Sequence, residues 1–478
     1  MFFGFITETV AQVGVGTSSP NASAALEVSS TSKGLLPPRM TAAQRDAISN
    51  PSQGLMLYCI DCGIHGELQI FNGIEYTNII GAKRQLSFRT QLGTSIYGEN
   101  SNDRSGISVE LSSNGSILAI GARYNDGNGS NSGHVRIYKY SNSSWTQLGS
   151  DIDGETSNDN SGYAISLNSD GTKLAVGAYG NDGNGNRSGH VRVYEYSNSS
   201  WTQLGSDIDG EAADDLSGVS VELSDNGQIV AIGAFYNDGN GANSGQVRVY
   251  KDVSGIWTQI GTDIDGSSIG EEAGTSISLS GDGFTLAIGA PRNSENASSA
   301  GEVRIYSFDG YNWIKKGQDL NGDAAGDYFG ISVSLSNSGS ILAVGAYGND
   351  DSGTDAGQVK IFEFNANAWV QRGPKILGEM SNDYSGRSVS LSGDGNLLAI
   401  GAYGNDGTAN DAGQTRIFQY GNSSWSKVVD IYGDNSGDNS GISVTLSSDG
   451  STLAVGAEYC DGLNNLNDIG QVKVFIKR

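Results

Sequence analysis

Carboxylates at fixed intervals are the residues of this chain best placed to do chemistry. Asp126, Asp182, Asp238, Asp350, Asp406 and Asp461 share one slot, with Ser294 the exception. Asp103, Asp159, Asp215, Glu271, Asp327, Asp383 and Asp438 share a second. Oxygen donors so arranged suit calcium, which takes several carboxylate and carbonyl oxygens. Asp126-x-Asn128-x-Ser130 and Asp182-x-Asn184-x-Asn186 alternate such donors along the chain. The candidate calcium ligands are therefore Asp126, Asn128, Asp182, Asn184, Asp159, Asp215, Asp327 and Asp383. Neither stretch continues to a bidentate Glu at its twelfth position, as a full calcium loop would. The plainer role for these acids is structural. An Asp side chain accepts backbone N–H groups of its own turn and tolerates unusual φ.

Aromatic rings stand beside the acids. Tyr179, Phe235, Tyr347 and Tyr403 each follow a Gly-Ala pair directly. Rings next to carboxylates and amides can stack on sugars, although ordinary packing within loops is the commoner use. With Asp126, Asp182, Asp238, Asp350 and Asp406 they form the candidate ligand-binding set. Catalysis finds less support. Of the three histidines, His65, His134 and His190, the last two occupy a slot held elsewhere by Gln246, Gln358 and Gln414. They read as interchangeable surface residues rather than general bases. The sequence has no nucleophile elbow, metalloprotease helix or phosphate loop. Seven equivalent acids do not nominate the pair a glycosidase needs. A non-enzymatic protein is expected. Cys59-x-x-Cys62 is compatible with a local disulfide, half a metal site or a redox pair, and Cys460 is the third cysteine.

What must position these residues is a repeat. Leu118-Ala119-Ile120-Gly121-Ala122 returns with its glycine at 177, 233, 289, 345, 401 and 456, a step of 56 five times and then 55. All six tryptophans, Trp145, Trp201, Trp257, Trp313, Trp369 and Trp425, keep the same step. A period near 50 indicates a propeller, solenoid or array. Each repeat divides into four short apolar runs. In one repeat these are residues 163–167, 173–178, 190–194 and 201–204, with Asp170-Gly171 between the first two. Asp-Gly and Asn-Gly pairs predict type I′ hairpins, which need positive φ. Four antiparallel strands per repeat make a propeller blade. Residues 88–93 align with the fourth run, yet they precede the first repeat, and the last repeat lacks that run. The expectation is an all-β, seven-bladed β-propeller of four-stranded antiparallel blades over residues 83–478, its ring closed by the N-terminal strand. The tryptophans are expected to pack between blades. The acidic loops share one face.

Asp327-x-Phe329-Gly330 and Ile288-Gly289-Ala290-Pro291 resemble the two halves of the FG-GAP repeat, the blade unit of the integrin α-subunit head and of many bacterial surface proteins. The resemblance covers residues 86–478 and implies a propeller used for adhesion or ligand binding. In one respect the chain departs from that family. The family's Asp-x-Asp-x-Asp-Gly calcium loop between first and second strands is replaced by tight turns such as Asp170-Gly171, so its calcium sites do not carry over.

Residues 13–82 show no trace of the period and form a separate, small mixed module. Thr41-Ala42-Ala43-Gln44 has the form of a capping box, predicting two helical turns before Pro51. Residues 54–58 and 68–71 read as strands, with a turn at Asn72-Gly73. Val13-Gly14-Val15-Gly16-Thr17, Lys33-Gly34-Leu35-Leu36-Pro37-Pro38-Arg39-Met40 and Phe71-Asn72-Gly73 resemble a leader module of secreted surface proteins of the Bacteroidetes type. Similar segments occur in phage tail-fibre proteins, so the resemblance implies trimerisation as one role. Residues 1–12, ending in small residues before Gln12, read as the remnant of a secretory signal. No stretch of 18 apolar residues exists to span a membrane. A formal net charge of -25 repels nucleic acid and anionic membranes. The expected function is extracellular adhesion, binding a protein or glycan through the acidic loop face. A phage tail-fibre component and a calcium-dependent lectin are the alternatives.

Overall fold

The computed structural model describes residues 13–15, 26–28, 36–62, 67–71, 73, 76–78, 88–462 and 466–477. The expected signal remnant, His65 and Asn72 lie outside the described residues. The chain divides into two compact units, Met1–Gln85 and Leu86–Arg478.

In the first unit a parallel pair joins Val13–Val15 to Leu26–Val28. A four-stranded sheet orders Arg39–Met40, Met56–Cys59, Glu67–Phe71 and Tyr76–Asn78. The helix runs Ala42–Asp46, shorter than the two turns expected. Its capping box is formed: the Thr41 hydroxyl accepts from Gln44 N–H, and the Gln44 side chain accepts from Thr41 N–H. Two of the orphan donors at the helix start are satisfied in this way. Cys59 and Cys62 form a disulfide, and both are buried beside Leu57. Arg45 donates to Gln69 Oε1 at 2.9 Å and spreads over the Tyr76 ring.

The second unit repeats one antiparallel sheet. In the second repeat Ala164–Leu167 pairs with Lys173–Ala178, which pairs with His190–Ser197, which pairs with Ser200–Gln203. A two-residue strand missed in the sequence, Ile208–Asp209, pairs with the start of the third strand. The second strand is buried along its length, as in Ile341–Ala346 and Leu397–Ala402. Its continuous apolar run has the same cause as in a parallel sheet: both faces are covered, so no alternation is needed. The recurring glycine follows from that packing. A Cβ on Gly345 would collide with the Gly386 carbonyl of the next repeat, to which Ser332 Oγ donates at 2.8 Å.

The Asp-Gly hairpin differs from the expected type. At Asp170-Gly171 only the glycine has positive φ, at 72°. Gly171 N–H bonds the Asn168 carbonyl at 2.9 Å, and Asp170 Oδ1 accepts from Thr172 N–H. The turn is therefore a type I turn followed by a left-handed glycine, not type I′, because the Asp side chain holds its own backbone right-handed. Type I′ signs appear at the other hairpin, where Asn198 and Ser199 have φ of 50° and 65°.

Tryptophan ties neighbouring sheets, as expected from its spacing. Trp201 Nε1 donates to Leu148 O at 2.8 Å, and Trp369 Nε1 to Lys316 O at 2.8 Å. Each bond reaches 53 residues back, into the preceding repeat. The backbone also links sheets at the Asp-Gly end. Ser113 N–H bonds Ser169 O, Ser169 bonds Asp225, and the series continues through Gly281, Asn337 and Gly393 to Ser448. Asp449 N–H then bonds Ser113 O at 3.0 Å. The sheet of Ser443–Leu446, Thr452–Ala457 and Gln471–Ile476 takes its outer strands, Thr90–Gln91 and Ile96–Tyr97, from the beginning of the unit.

Candidate functional site

Both acid slots are occupied by hydrogen bonds of the loops that carry them. The exposed Asp126, Asp182, Asp238, Asp350 and Asp406 each accept the backbone N–H five residues on, at 2.7–2.8 Å. Ser294 does the same through its hydroxyl at 2.9 Å, which explains why a non-acid is tolerated there. The second slot is buried. Asp159, Asp215, Asp327 and Asp383 each accept a backbone N–H three residues back, at 2.8–3.0 Å. Each also accepts from the side chain of an asparagine: Asn181, Asn237, Asn349 and Asn405. Burial pushes the Asp215 and Asp327 carboxyls up. Asn128 and Asn184 turn away from the acids beside them. They donate to Gly154 O and Gly210 O at 2.8 and 2.9 Å, stitching each loop to the link toward the next repeat. The structure thus gives the proposed calcium ligands a hydrogen-bonding role in their own loops, and it places the two acid slots on separate partners.

The aromatic candidates are half-buried and fall into groups. Tyr347 stacks on Tyr328 with centroids 5.2 Å apart, and Tyr403 stacks on Tyr384 at 5.0 Å. Tyr384 also meets the edge of Tyr347, so four rings run in series. Tyr179 packs on the edge of Tyr163, and Phe235 lies against its neighbour Tyr236. Burial raises Tyr179 and Tyr347 and pushes Tyr403 up to about 12. Beyond Tyr163 the character turns ionic. Arg123 spreads over Tyr163 and Tyr124 and pairs with Glu458 at 3.2 Å. Arg104 covers Tyr124 and Tyr459.

Three slots supply this surface. One holds Arg123, Tyr179, Phe235, Pro291, Tyr347, Tyr403 and Glu458. Another holds Ile107, Tyr163, Val219, Thr275, Ile331, Arg387 and Ile442, which line one cavity. The third holds Arg104, Asn160, Leu216, Glu272, Tyr328, Tyr384 and Asn439. All seven members of that third slot have φ between 53° and 58°. Left-handed backbone under Leu, Tyr or Arg is unusual and costs about 1 kcal/mol or more, and such positions cluster where side chains must be aimed. The first slot was partly read from the sequence. The third was not, because nothing in a residue as ordinary as Tyr384 announces its φ.

Two further departures from the repeat emerge. His134 and His190 are not surface residues as expected: each is 1% exposed, because the start of the third strand is covered on both faces. Burial, then the neighbouring Arg136 or Arg192, lowers each to about 4, so both imidazoles are neutral at pH 7. Glu110 and Glu222 line a second cavity at positions where other repeats place Ser278, Ser334, Ser390 and Thr445. Burial pushes Glu110 up to about 8 and Glu222 well above its ordinary value. Ser278 and Ser334 accept the N–H of the next repeat's Leu335 and Leu391, bonds that neither glutamate makes. The signal for this pair lay in the sequence as two Glu in a Ser/Thr slot.

Comparison with known families agrees with this architecture. The FG-GAP repeat family matches residues 321–362 and 378–418. The first match holds Phe329-Gly330, whose roles are visible: Phe329 is fully buried against Phe362, and Gly330 has φ of 91° where a Cβ would strike Glu302 O. The phage tail like trimerisation region matches residues 14–99. No curated protein matches the chain.

Proposed function

We propose that this is a non-enzymatic binding protein. In this reading residues 83–478 form a seven-bladed propeller closed by its N-terminal strand. The series of backbone bonds from Ser113 to Ser448 and from Asp449 back to Ser113 supports that count. The pairing of Thr90–Gln91 with Ile476 and Phe475 supports the closure. The ligand is an extracellular protein or glycan, taken at the mouth formed by the three variable slots. One observation carries this reading. The scaffold slots repeat nearly unchanged, whereas the slots around that mouth hold Tyr, Arg, Glu, Phe and Ile on left-handed or half-buried positions.

The test is a glycan and protein array probed with the wild type and with the Tyr328→Asn/Tyr384→Asn variant. Asn160 and Asn439 already fill the same left-handed position, so the variant keeps its fold. Binding lost with an unchanged melting temperature supports the mouth. Binding retained sends the site to the acidic loops, and running the array with calcium and with chelator then separates the calcium-dependent lectin reading.

The match to a phage tail like trimerisation region favours a second reading, a structural or receptor-binding part of a tail fibre. Light scattering on the full chain separates it from a monomeric adhesin. A trimer that becomes monomeric when residues 1–85 are removed supports the fibre reading, and a monomeric full chain counts against it.

A further inference from the structure

Each of the two buried histidines faces carboxylates: His190 has Glu155 and Asp207 nearest, and His134 has Asp151 and Asp153 nearest, with Glu99 farther off. Glu99, His134 and Asp151 bring one ligand atom each within 4.8 Å of one another, and so do Glu155, His190 and Asp207. The second set lies 56 residues beyond the first at every member. His190 Nδ1 is 3.9 Å from Glu155 Oε2 and 3.7 Å from Asp207 Oδ2. His134 Nδ1 is 3.9 Å from Asp151 Oδ2 and 4.0 Å from Asp153 Oδ1. These distances exceed a hydrogen bond. Among the described residues neither imidazole makes a hydrogen bond, and Nε2 of each is buried without a partner.

The other repeats show what the slot does when it is only structural. Gln246 and Gln414 donate Nε2 to Glu211 and Glu379 at 3.0 and 3.1 Å, closing the gap the histidines leave open. Their inner atoms, Oε1 of Gln246 and Gln414, lack partners just as the histidine Nε2 atoms do. The difference between the two kinds of repeat therefore lies on the outer side, toward the carboxylates. There the amide is bonded and the imidazole is not.

We infer that Glu99–His134–Asp151 and Glu155–His190–Asp207 are two corresponding sites for a divalent transition metal of the zinc type. One imidazole and two carboxylates are ligands that zinc accepts, at about 2.0–2.2 Å each. Ligand atoms around a tetrahedral zinc lie ~3.4 Å from one another on those bond lengths. The present 3.7–3.9 Å separations at His190 thus need a few tenths of an ångström of closure, and a ligand pair at the 4.8 Å limit would need about 1.4 Å. Charge favours a cation. Glu155 meets one guanidinium, Arg192, 3.5 Å from its Oε1, the oxygen not turned to the histidine, while among the described residues Asp207 Oδ1 accepts only from the neutral Gln203 side chain at 2.6 Å. Arg136 stands likewise 3.5 Å from Glu99 Oε1. Glu155 follows Ile152–Asp153 of one sheet, whereas His190 opens a strand of the next, so a bound ion would pin neighbouring repeats together. These ligands are distinct from the acidic loop slots considered for calcium.

The chain supplies its own control. Gln stands in this slot in four other repeats, at 246, 358, 414 and 471, so His134→Gln and His190→Gln keep the fold. Metal-free full-length protein is titrated with zinc chloride by calorimetry at pH 7 and reversed with chelator. The wild type is expected to bind zinc at two corresponding sites. Either single variant loses half of that stoichiometry, and the double variant loses all of it while its melting temperature without zinc is retained. Zinc bound equally by the double variant would assign the ion to the acidic surface at large and overturn the inference. So would a wild type that takes up no zinc.

Discussion

Replacing Glu302 by Gln should stabilise the protein at neutral and alkaline pH and leave it unchanged in acid. Glu302 stands in the slot held by Gln246, Gln358, Gln414 and Gln471, and it is 1% exposed. Arg304 Nε stands 3.1 Å from its Oε1 as an ion pair without hydrogen-bond geometry, and among the described residues Oε2 is buried without a partner. Burial pushes the carboxyl up to about 7 from its ordinary 4.5, with Asp319, Glu271 and Glu295 adding to the rise and Arg304 opposing it. The native state therefore holds this proton more tightly than the unfolded chain does. Its contribution is fully present below pH 4.5 and is lost as pH rises through 7. At about 1.4 kcal/mol per pH step, the ionised carboxylate costs the fold up to about 3 kcal/mol at pH 8. Relaxation of the flanking acids should reduce the measured gain to about 1–2 kcal/mol. Gln cannot ionise, and Arg304 keeps its hydrogen bond to Glu271. Urea unfolding of both proteins at pH 4.5 and pH 8 measures the difference. A variant less stable at pH 8, or a gain equal at both pH values, would refute the reasoning.

Four other outcomes follow from the repeat. Trp369→Phe removes the donor to Lys316 O and leaves that carbonyl unpaired, which should cost about 1–2 kcal/mol of stability by denaturant unfolding. Cys460 occupies the place where Asn405 donates to Asp383 in the preceding repeat, so Cys460→Asn should restore a bond to the buried Asp438 and add about 0.5–1.5 kcal/mol. Buried Cys460 has its thiol pushed up to about 12, and it should stay unreactive to thiol reagents until the protein unfolds. Calcium at millimolar concentration should move the melting temperature of metal-free protein by less than about 2 °C, because the acidic loops are already held by their own N–H groups. A larger rise would return calcium to Asp126, Asp182 and their equivalents.

Much of the architecture was legible because a repeat writes the same physics many times. The buried strand around Gly345, the tryptophan step and the capping box at Thr41 each rest on local constraints: close backbone approach, one fixed packing position, and orphan helix donors. The misplaced type I′ turn shows the limit of such reading. Asp-Gly and Asn-Ser both permit positive φ, and only the hydrogen bonds of each hairpin decide which turn takes it. Residue type alone established the acidic surface, the apolar inner strands, the two-part chain and the want of a catalytic motif. Tertiary structure decided which carboxylates were already bonded, that His134 and His190 are buried facing carboxylates, and that Tyr328 and Tyr384 are aimed from left-handed backbone. Those facts depend on neighbours one repeat away, and a side chain's burial and partners are set by what the fold brings against it rather than by its own identity.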